Sequence, residues 1–187
     1  MNQILNVSRD AFSSGQVGSK LWLCQELETL FESADNIWIY GGWYGVMAFL
    51  LNSRSNMSIG QIRSYDVDPS CEAIADMINE NWVIDNWKFK AHTEDCNQLD
   101  PSQNSPDLII NTSTEHFESM DWWHNIPQDT VVALQGNNMI HDDHHIHSSC
   151  LQEFVAQFPV TTTLYTGQKE FVYPNWRFTR YMLIGVK

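Results

Sequence analysis

The stretch Ile37-Trp38-Ile39-Tyr40-Gly41-Gly42-Trp43-Tyr44-Gly45 ends a run of four apolar residues on two adjacent glycines. A short, continuous apolar run bounded by glycine fits a strand covered on both faces, as in the interior of a parallel sheet. Residues 46–51 continue as an apolar helix. Glycines between a strand and a helix allow a tight turn and let a ligand approach the backbone, while the helix start favours negative charge. A purely structural turn can use the same glycines.

The same alternation extends outward from this turn. Upstream, Leu21, Leu23, Leu27, Leu30 and Phe31 form an approximate helical stripe over residues 19–31. Downstream, strands are expected at 62–67, 87–91, 106–111, 130–134, 160–166 and 177–186. Asp68-Pro69 reads as an N-cap with proline at the first helical position. The helix after it carries Ala73, Ile74, Met77 and Ile78 on one side, and a further helix covers 151–158. The last two strands leave no room for a crossover helix, so they should pair as an antiparallel hairpin around a loop at 171–176. The resulting order is β-α-β-α-β-β-α-β-α-β-β, an α/β domain with a largely parallel sheet. Ligands bind such sheets beyond the carboxyl ends of the strands, where the strand order switches. A chain of 187 residues suits a single domain, 1–187, in which 1–35 form an N-terminal helical extension.

Composition limits the partners. The formal net charge is −13. No Lys or Arg occurs from Ala91 to Gln168, while that window holds all seven histidines and eleven of the 23 acidic residues. Nucleic-acid binders neutralise phosphates with clustered cations, so nucleic acid is an unlikely partner. No apolar run approaches the ~20 residues of a membrane span, and the opening Met-Asn-Gln-Ile-Leu-Asn-Val-Ser-Arg-Asp has no secretion-signal pattern. Cys24, Cys71, Cys96 and Cys150 are scattered without a C-x-x-C pair, as expected of buried, reduced thiols in a cytoplasmic protein.

The strand ends carry the chemistry. Tyr65-Asp66-Val67-Asp68 closes the second strand about 20 residues after the glycine turn, where a carboxylate can accept both hydroxyls of a ribose. Asp66 takes that role and Asp68 the N-cap. Glu94-Asp95-Cys96 follows the third strand; an acidic side chain beside a backbone amide can recognise the amine edge of adenine, and an exposed loop carboxylate is the competing reading.

Together these features resemble the class I S-adenosylmethionine-dependent methyltransferases, from about Asn36 onward. The resemblance rests on the glycine turn, the acidic end of the second strand, the acidic-small pair after the third and the antiparallel tail ending in Tyr181-Met182-Leu183-Ile184-Gly185. It implies a Rossmann-like fold with a seven-stranded, mostly parallel sheet, an antiparallel C-terminal strand and helices on both faces. It also implies S-adenosyl-L-methionine as cofactor and S-adenosyl-L-homocysteine as product, held by Gly41, Gly42, Trp43, Gly45, Asp66, Val67, Asp95 and Cys96. Two positions depart from the family. Ile39 stands where the first strand usually has an acid, and Trp43 where the middle glycine of G-x-G-x-G falls. With the acid gone, backbone carbonyls of the turn are left to hold the methionine ammonium. Lys20, with Gln16 and Ser19, is the candidate for the methionine carboxylate, against the reading of Lys20 as a solvated helix residue.

The resemblance puts the reaction beyond the fourth strand, at Asn111-Thr112-Ser113-Thr114-Glu115-His116. This is not the Asp/Asn-Pro-Pro-aromatic motif of amino-methylating enzymes that act on DNA. Methyl transfer needs an aligned nucleophile and at most one proton removed. His116, with an unperturbed pKa near ~6.5, suits a base; Glu115 can orient it and Asn111 can hold the acceptor. Alternatively Ser113 or Thr114 caps a helix with Glu115 in its first turn. After the fifth strand, Asn137, Asn138 and His144 are the candidate substrate contacts, within a loop whose four His and two Asp span 141–147. Ligands adjacent on one irregular loop rarely converge, so no metal is assigned. Trp22, Trp38, Trp82 and Trp87 are expected in the core. Trp43 is read as either covering the cofactor or closing the pocket, and Trp122 and Trp123 as either acceptor-site wall or core.

The reading is therefore a methyltransferase acting on a small-molecule or protein acceptor, neutral or amine-bearing because the charge window overlaps the proposed active site. Competing readings are a non-catalytic methyltransferase-like binding subunit, a nicotinamide-dependent oxidoreductase and, resting on the histidine loop alone, a metal-dependent hydrolase.

Overall fold

The computed structural model describes residues 7–187, so most of the opening stretch examined for a secretion signal lies outside the described residues. The chain runs α1 (Ser14–Leu30), β1 (Ser33–Tyr40), α2 (Val46–Arg54), β2 (Ser58–Asp66), α3 (Cys71–Ile78) and α4 (Glu80–Val83). It continues through β3 (Phe89–Thr93), β4 (Leu108–Asn111), α5 (Asp121–His124), β5 (Val131–Asn137), α6 (Leu151–Gln157), β6 (Thr162–Val172) and β7 (Arg177–Val186). Among the described residues these seven strands form one sheet, ordered β3-β2-β1-β4-β5-β7-β6. Pairs β1·β2, β1·β4, β2·β3 and β4·β5 are parallel. Strand β7 is antiparallel to both β5 and β6, so it alone is reversed.

The two-residue period of β1 explains why both faces are covered. Ile37 and Ile39 point into one core with Leu23, Leu27, Met47 and Leu51 of α1 and α2. Trp38 and Tyr40 point into the other, with Trp122, Phe154 and Phe158 of the α5–α6 side. Between β3 and β4 there are only short 3-10 turns at Cys96–Gln98 and Pro101–Gln103, as the expected order required. Helix α3 begins at Cys71 with Ser70 as its N-cap, so Asp68 is not the cap; its Oδ1 accepts from Ser70 N at 2.8 Å in the turn before the helix.

Several boundaries move. Helix α1 starts at Ser14 because Ser13 Oγ accepts from Gln16 N at 3.3 Å, an N-cap upstream of the leucine stripe. Strand β1 starts at Ser33 because its first half pairs along β2 from Ser58. Strand β4 starts at Leu108, two residues later than expected, and β3 likewise starts two residues later, at Phe89. Asn86 and Trp87 both adopt left-handed backbone, turning the chain from α4 into the strand. Trp87 is consequently 56% exposed and is no core residue. Trp22 and Trp38 are buried and Trp82 is half-buried, whereas Trp122 and Trp123 are deep in the second core and do not wall a ligand site. The hairpin loop shortens to 173–176, closed by Tyr173 and Trp176 rings stacked 4.4 Å apart. All four cysteines are free, three of them buried.

Candidate active site

Strands β1, β2 and β4 end within one residue of each other, since Tyr40 is in register with both Tyr65 and Asn111. The next residues, Gly41, Asp66 (the last residue of β2) and Thr112, therefore come to one edge of the sheet. The strand order reverses between β1 and β4, which is where such sheets open a crevice. A cavity of about 580 Å³ lies there, within the usual range for small-molecule sites.

The glycine turn forms its floor. Gly41, Trp43 and Gly45 have φ of 61°, 47° and 71°. Trp43 thus holds the left-handed conformation that glycine adopts without cost, a strained state for a bulky side chain. The departure from the family pattern leaves the backbone path intact. Gly42 N donates to Tyr65 O at 3.0 Å, and a Cβ on Gly42 would sit 1.9 Å from Ser64 Oγ. Gly41, Gly42 and Trp43 all line the cavity, Trp43 stacked on Tyr44 at 4.8 Å. Gly45 does not. It is the N-cap of α2, and the space beside it is filled by Asn79 and Ala75, so its glycine serves helix packing.

Asp66, Val67, Asp95 and Cys96 line the cavity as expected. Asp66 Oδ2 accepts from Trp43 N at 2.8 Å and Oδ1 from Asp68 N at 3.0 Å. Each oxygen keeps a second lone pair, so the carboxylate is fixed yet still able to accept. Asp95 accepts from Asn97 N at 2.9 Å, which caps a 3-10 turn. Burial pushes the Cys96 thiol up to about 12, which rules out a thiolate nucleophile at neutral pH.

Helix α1 supplies Gln16 and Lys20 to the opposite wall. Lys20 Nζ donates to Gln16 Oε1 at 2.6 Å. Burial and the Arg180 guanidinium bring the Lys20 pKa down to about 7. Lys20 is therefore a buried cavity group and not a solvated helix residue. Ser19 is turned away, its hydroxyl donating to Gln16 O.

The loop after β4 brings Glu115 and His116 to the cavity. Desolvation lowers the His116 pKa, keeping the ring neutral at pH 7. Glu115 Oε1 is held by Arg180 Nη1 at 3.0 Å and by Asn137 Nδ2. Asn111 and Asn137 do not line the cavity. Asn111 is fully buried and accepts from Ser113 N at 3.0 Å, and Asn137 positions Glu115 from behind. Asn138 bonds both ways with Thr179, tying the loop to the edge of β7. His144 is buried, edge-on to His116 with centroids 4.7 Å apart.

Arg180 also lines the cavity and was not among the site residues expected from the sequence. It stands fourth in β7, directly before the apolar run Tyr181-Met182-Leu183-Ile184, and a charge buried there requires a partner. With Lys20 it brings cations to a cavity whose central loops supply none. Lys169 instead lies 5.8 Å from the Phe171 ring centre, and Arg177 pairs with Glu170 on the exposed hairpin.

The fold is that of the class I S-adenosylmethionine-dependent methyltransferases. The chain is similar to magnesium protoporphyrin IX methyltransferase from Synechocystis PCC 6803 with bound S-adenosylmethionine, at 8% identity and TM-score 0.64, covering 99% of this chain and 86% of that one. It is also similar to the N-methyltransferase NodS from Bradyrhizobium japonicum WM9, at 12% identity and TM-score 0.64, covering 97% and 100%. A geranyl diphosphate methyltransferase in complex with the same cofactor aligns at 8% identity and TM-score 0.65, covering 91% and 85%. No protein-family model and no curated protein sequence matches this chain. Among the described residues, no helix is long and apolar enough to cross a membrane.

Proposed function

We propose that the protein is an S-adenosylmethionine-dependent methyltransferase whose acceptor is a small molecule or a protein side chain, neutral or amine-bearing. One observation carries this reading. The glycine turn, Asp66 and the Asp95-Cys96 pair, contributed by three separate strand ends, line one cavity together with Lys20. That cavity provides what the cofactor requires. Asp66 has free lone pairs for a ribose, Gly41, Gly42 and Trp43 line the cavity beside it, and Lys20 offers a cation for a carboxylate. Ile39 cannot hold an ammonium, so carbonyls of the turn take that task.

The cofactor, when bound, supplies a methyl group on a sulfonium, which is displaced by a lone pair on the acceptor. The chain's part is positioning. Glu115 and His116 stand at the acceptor side, Glu115 fixed by Arg180 and Asn137, and His116 neutral with a lone pair to offer. The absence of a basic surface on the adjacent loops argues against a nucleic-acid acceptor.

Calorimetric titration with S-adenosylhomocysteine tests the reading, with micromolar 1:1 binding expected. No binding at millimolar concentration overturns it. Tight binding of NAD in its place would support the oxidoreductase alternative.

A further inference from the structure

The histidine-rich loop after β5 is fastened to the loop after β4. His145 N and Ile146 N both donate to the Glu115 carbonyl, at 2.7 and 3.2 Å. This docking brings three side chains from two distant segments together. One ligand atom each from Glu115, His116 and His144 lies within 4.8 Å of the others. Adjacent histidines of one loop seldom converge, but here the second loop supplies the missing partners.

The hydrogen bonds leave the right atoms free. His116 Nδ1 contacts Asp143 O at 3.2 Å and His144 Nδ1 contacts Met139 O at 3.0 Å. A carbonyl only accepts, so both Nδ1 atoms carry the proton and both Nε2 atoms carry a lone pair. Such carbonyl contacts fix the tautomer of metal-binding histidines. Glu115 is 3% exposed, and its Oε1 is taken by Arg180 and Asn137. Its Oε2 is buried without any partner. An unpartnered buried carboxylate oxygen is costly unless something satisfies it.

We propose that Glu115 Oε2, His116 Nε2 and His144 Nε2 bind a divalent transition-metal ion of the zinc class at the acceptor side of the cavity. Two imidazoles and one carboxylate, without thiolate, suit such an ion better than magnesium or calcium, which prefer all-oxygen shells. Ligands about 2.1 Å from a tetrahedral ion lie roughly 3.4 Å apart, so the three side chains must draw together to hold one. Three protein ligands leave a position open toward the cavity, the arrangement of catalytic rather than structural sites. Arg180, on the far oxygen of Glu115, and Lys20 oppose the ion's charge, so micromolar affinity is expected. Only the use of the open position by an acceptor rests on the methyltransferase reading; the binding of the ion does not.

The test is titration of chelator-stripped full-length protein with Zn²⁺ by calorimetry, and with Co²⁺ by visible absorption. One ion should bind per chain, with the intense bands of four-coordinate Co²⁺. His116→Ala, on the cavity wall, and His144→Ala should each weaken binding at least tenfold. The triple variant His141→Ala/His145→Ala/His147→Ala should retain it. No stoichiometric binding, or binding lost in the triple variant and kept in His116→Ala, overturns the proposal. S-adenosylhomocysteine titrated into the same samples scores the methyltransferase reading separately.

Discussion

Arg180 Nη1 lies 3.0 Å from Glu115 Oε1, and both side chains are about 4% exposed. The pair joins the reversed strand β7 to the loop after β4, two segments 65 residues apart. Removing one member of a buried pair strands the other charge, at a cost of about 3–5 kcal/mol. Arg180→Met should therefore lower unfolding stability in urea by that amount. The double variant Arg180→Met/Glu115→Gln should lose less than the sum of the two single variants. Additive losses would show that the two groups do not depend on each other.

Lys20 gives the cofactor site a pH dependence. Its pKa is about 7 in the unliganded protein. A ligand carboxylate beside it favours the ammonium and raises that value, so binding takes up a proton. Affinity for S-adenosylhomocysteine should fall as pH rises above 7, and binding enthalpies at pH 8 should differ between phosphate and Tris buffers. Lys20→Met should bind at least tenfold more weakly at pH 6.5 and lose the pH dependence. If affinity stays flat from pH 6 to 9, Lys20 does not hold the carboxylate.

The same lysine links folding to pH. Its folded pKa lies below the ordinary value of 10.5, so between about 7 and 10.5 the unfolded chain binds more protons. Lys20 therefore makes stability rise with pH through that window, and costs most below pH 7, where the buried side chain is charged. Urea unfolding at pH 6.5 and 9 should show Lys20→Met gaining more over wild type at the lower pH.

Gly42→Ala should destabilise by ~1–3 kcal/mol, the usual cost of overpacking, because its Cβ would meet Ser64 Oγ at 1.9 Å. Ser64→Ala should restore part of the loss, leaving the 3.2 Å contact to Ser64 Cβ. Thermal unfolding of the two single variants and the pair measures this. Absence of rescue would place the clash elsewhere.

Trp87 separates periodicity from structure. A core tryptophan truncated to a small residue costs about 3–5 kcal/mol. Trp87 is 56% exposed with a φ of 57°. Trp87→Gly should leave stability within ~1 kcal/mol of wild type or raise it, since glycine takes that backbone freely. A large loss in urea unfolding would return Trp87 to the core.

The sheet was legible because its signals are local. Ile37 to Tyr40 stopped by Gly41-Gly42 reveals a doubly covered strand from adjacent residues alone, and Asp68-Pro69 marks a helix entrance the same way. Asp66, Asp95 and the turn meet at one cavity because a parallel sheet puts successive strand ends on one edge. The misplacements were of another kind. Asn86 and Trp87 took left-handed backbone to reverse the chain, and Gly45 turned its open side to Asn79, neither visible in a hydrophobic pattern. His144 belongs to a loop read as substrate-facing and passed over for metal because adjacent ligands rarely converge, yet backbone bonds to Glu115 carry it against His116. The charge gap was real in the chain, but Lys20 and Arg180 enter the cavity from outside it. By itself, the sequence determined the order of strands and helices and the edge where ligands meet them, since those follow from periodicity and turn chemistry. Only the tertiary structure decided which buried charges pair and which side chains face the cavity, because those depend on contacts between segments far apart in the chain.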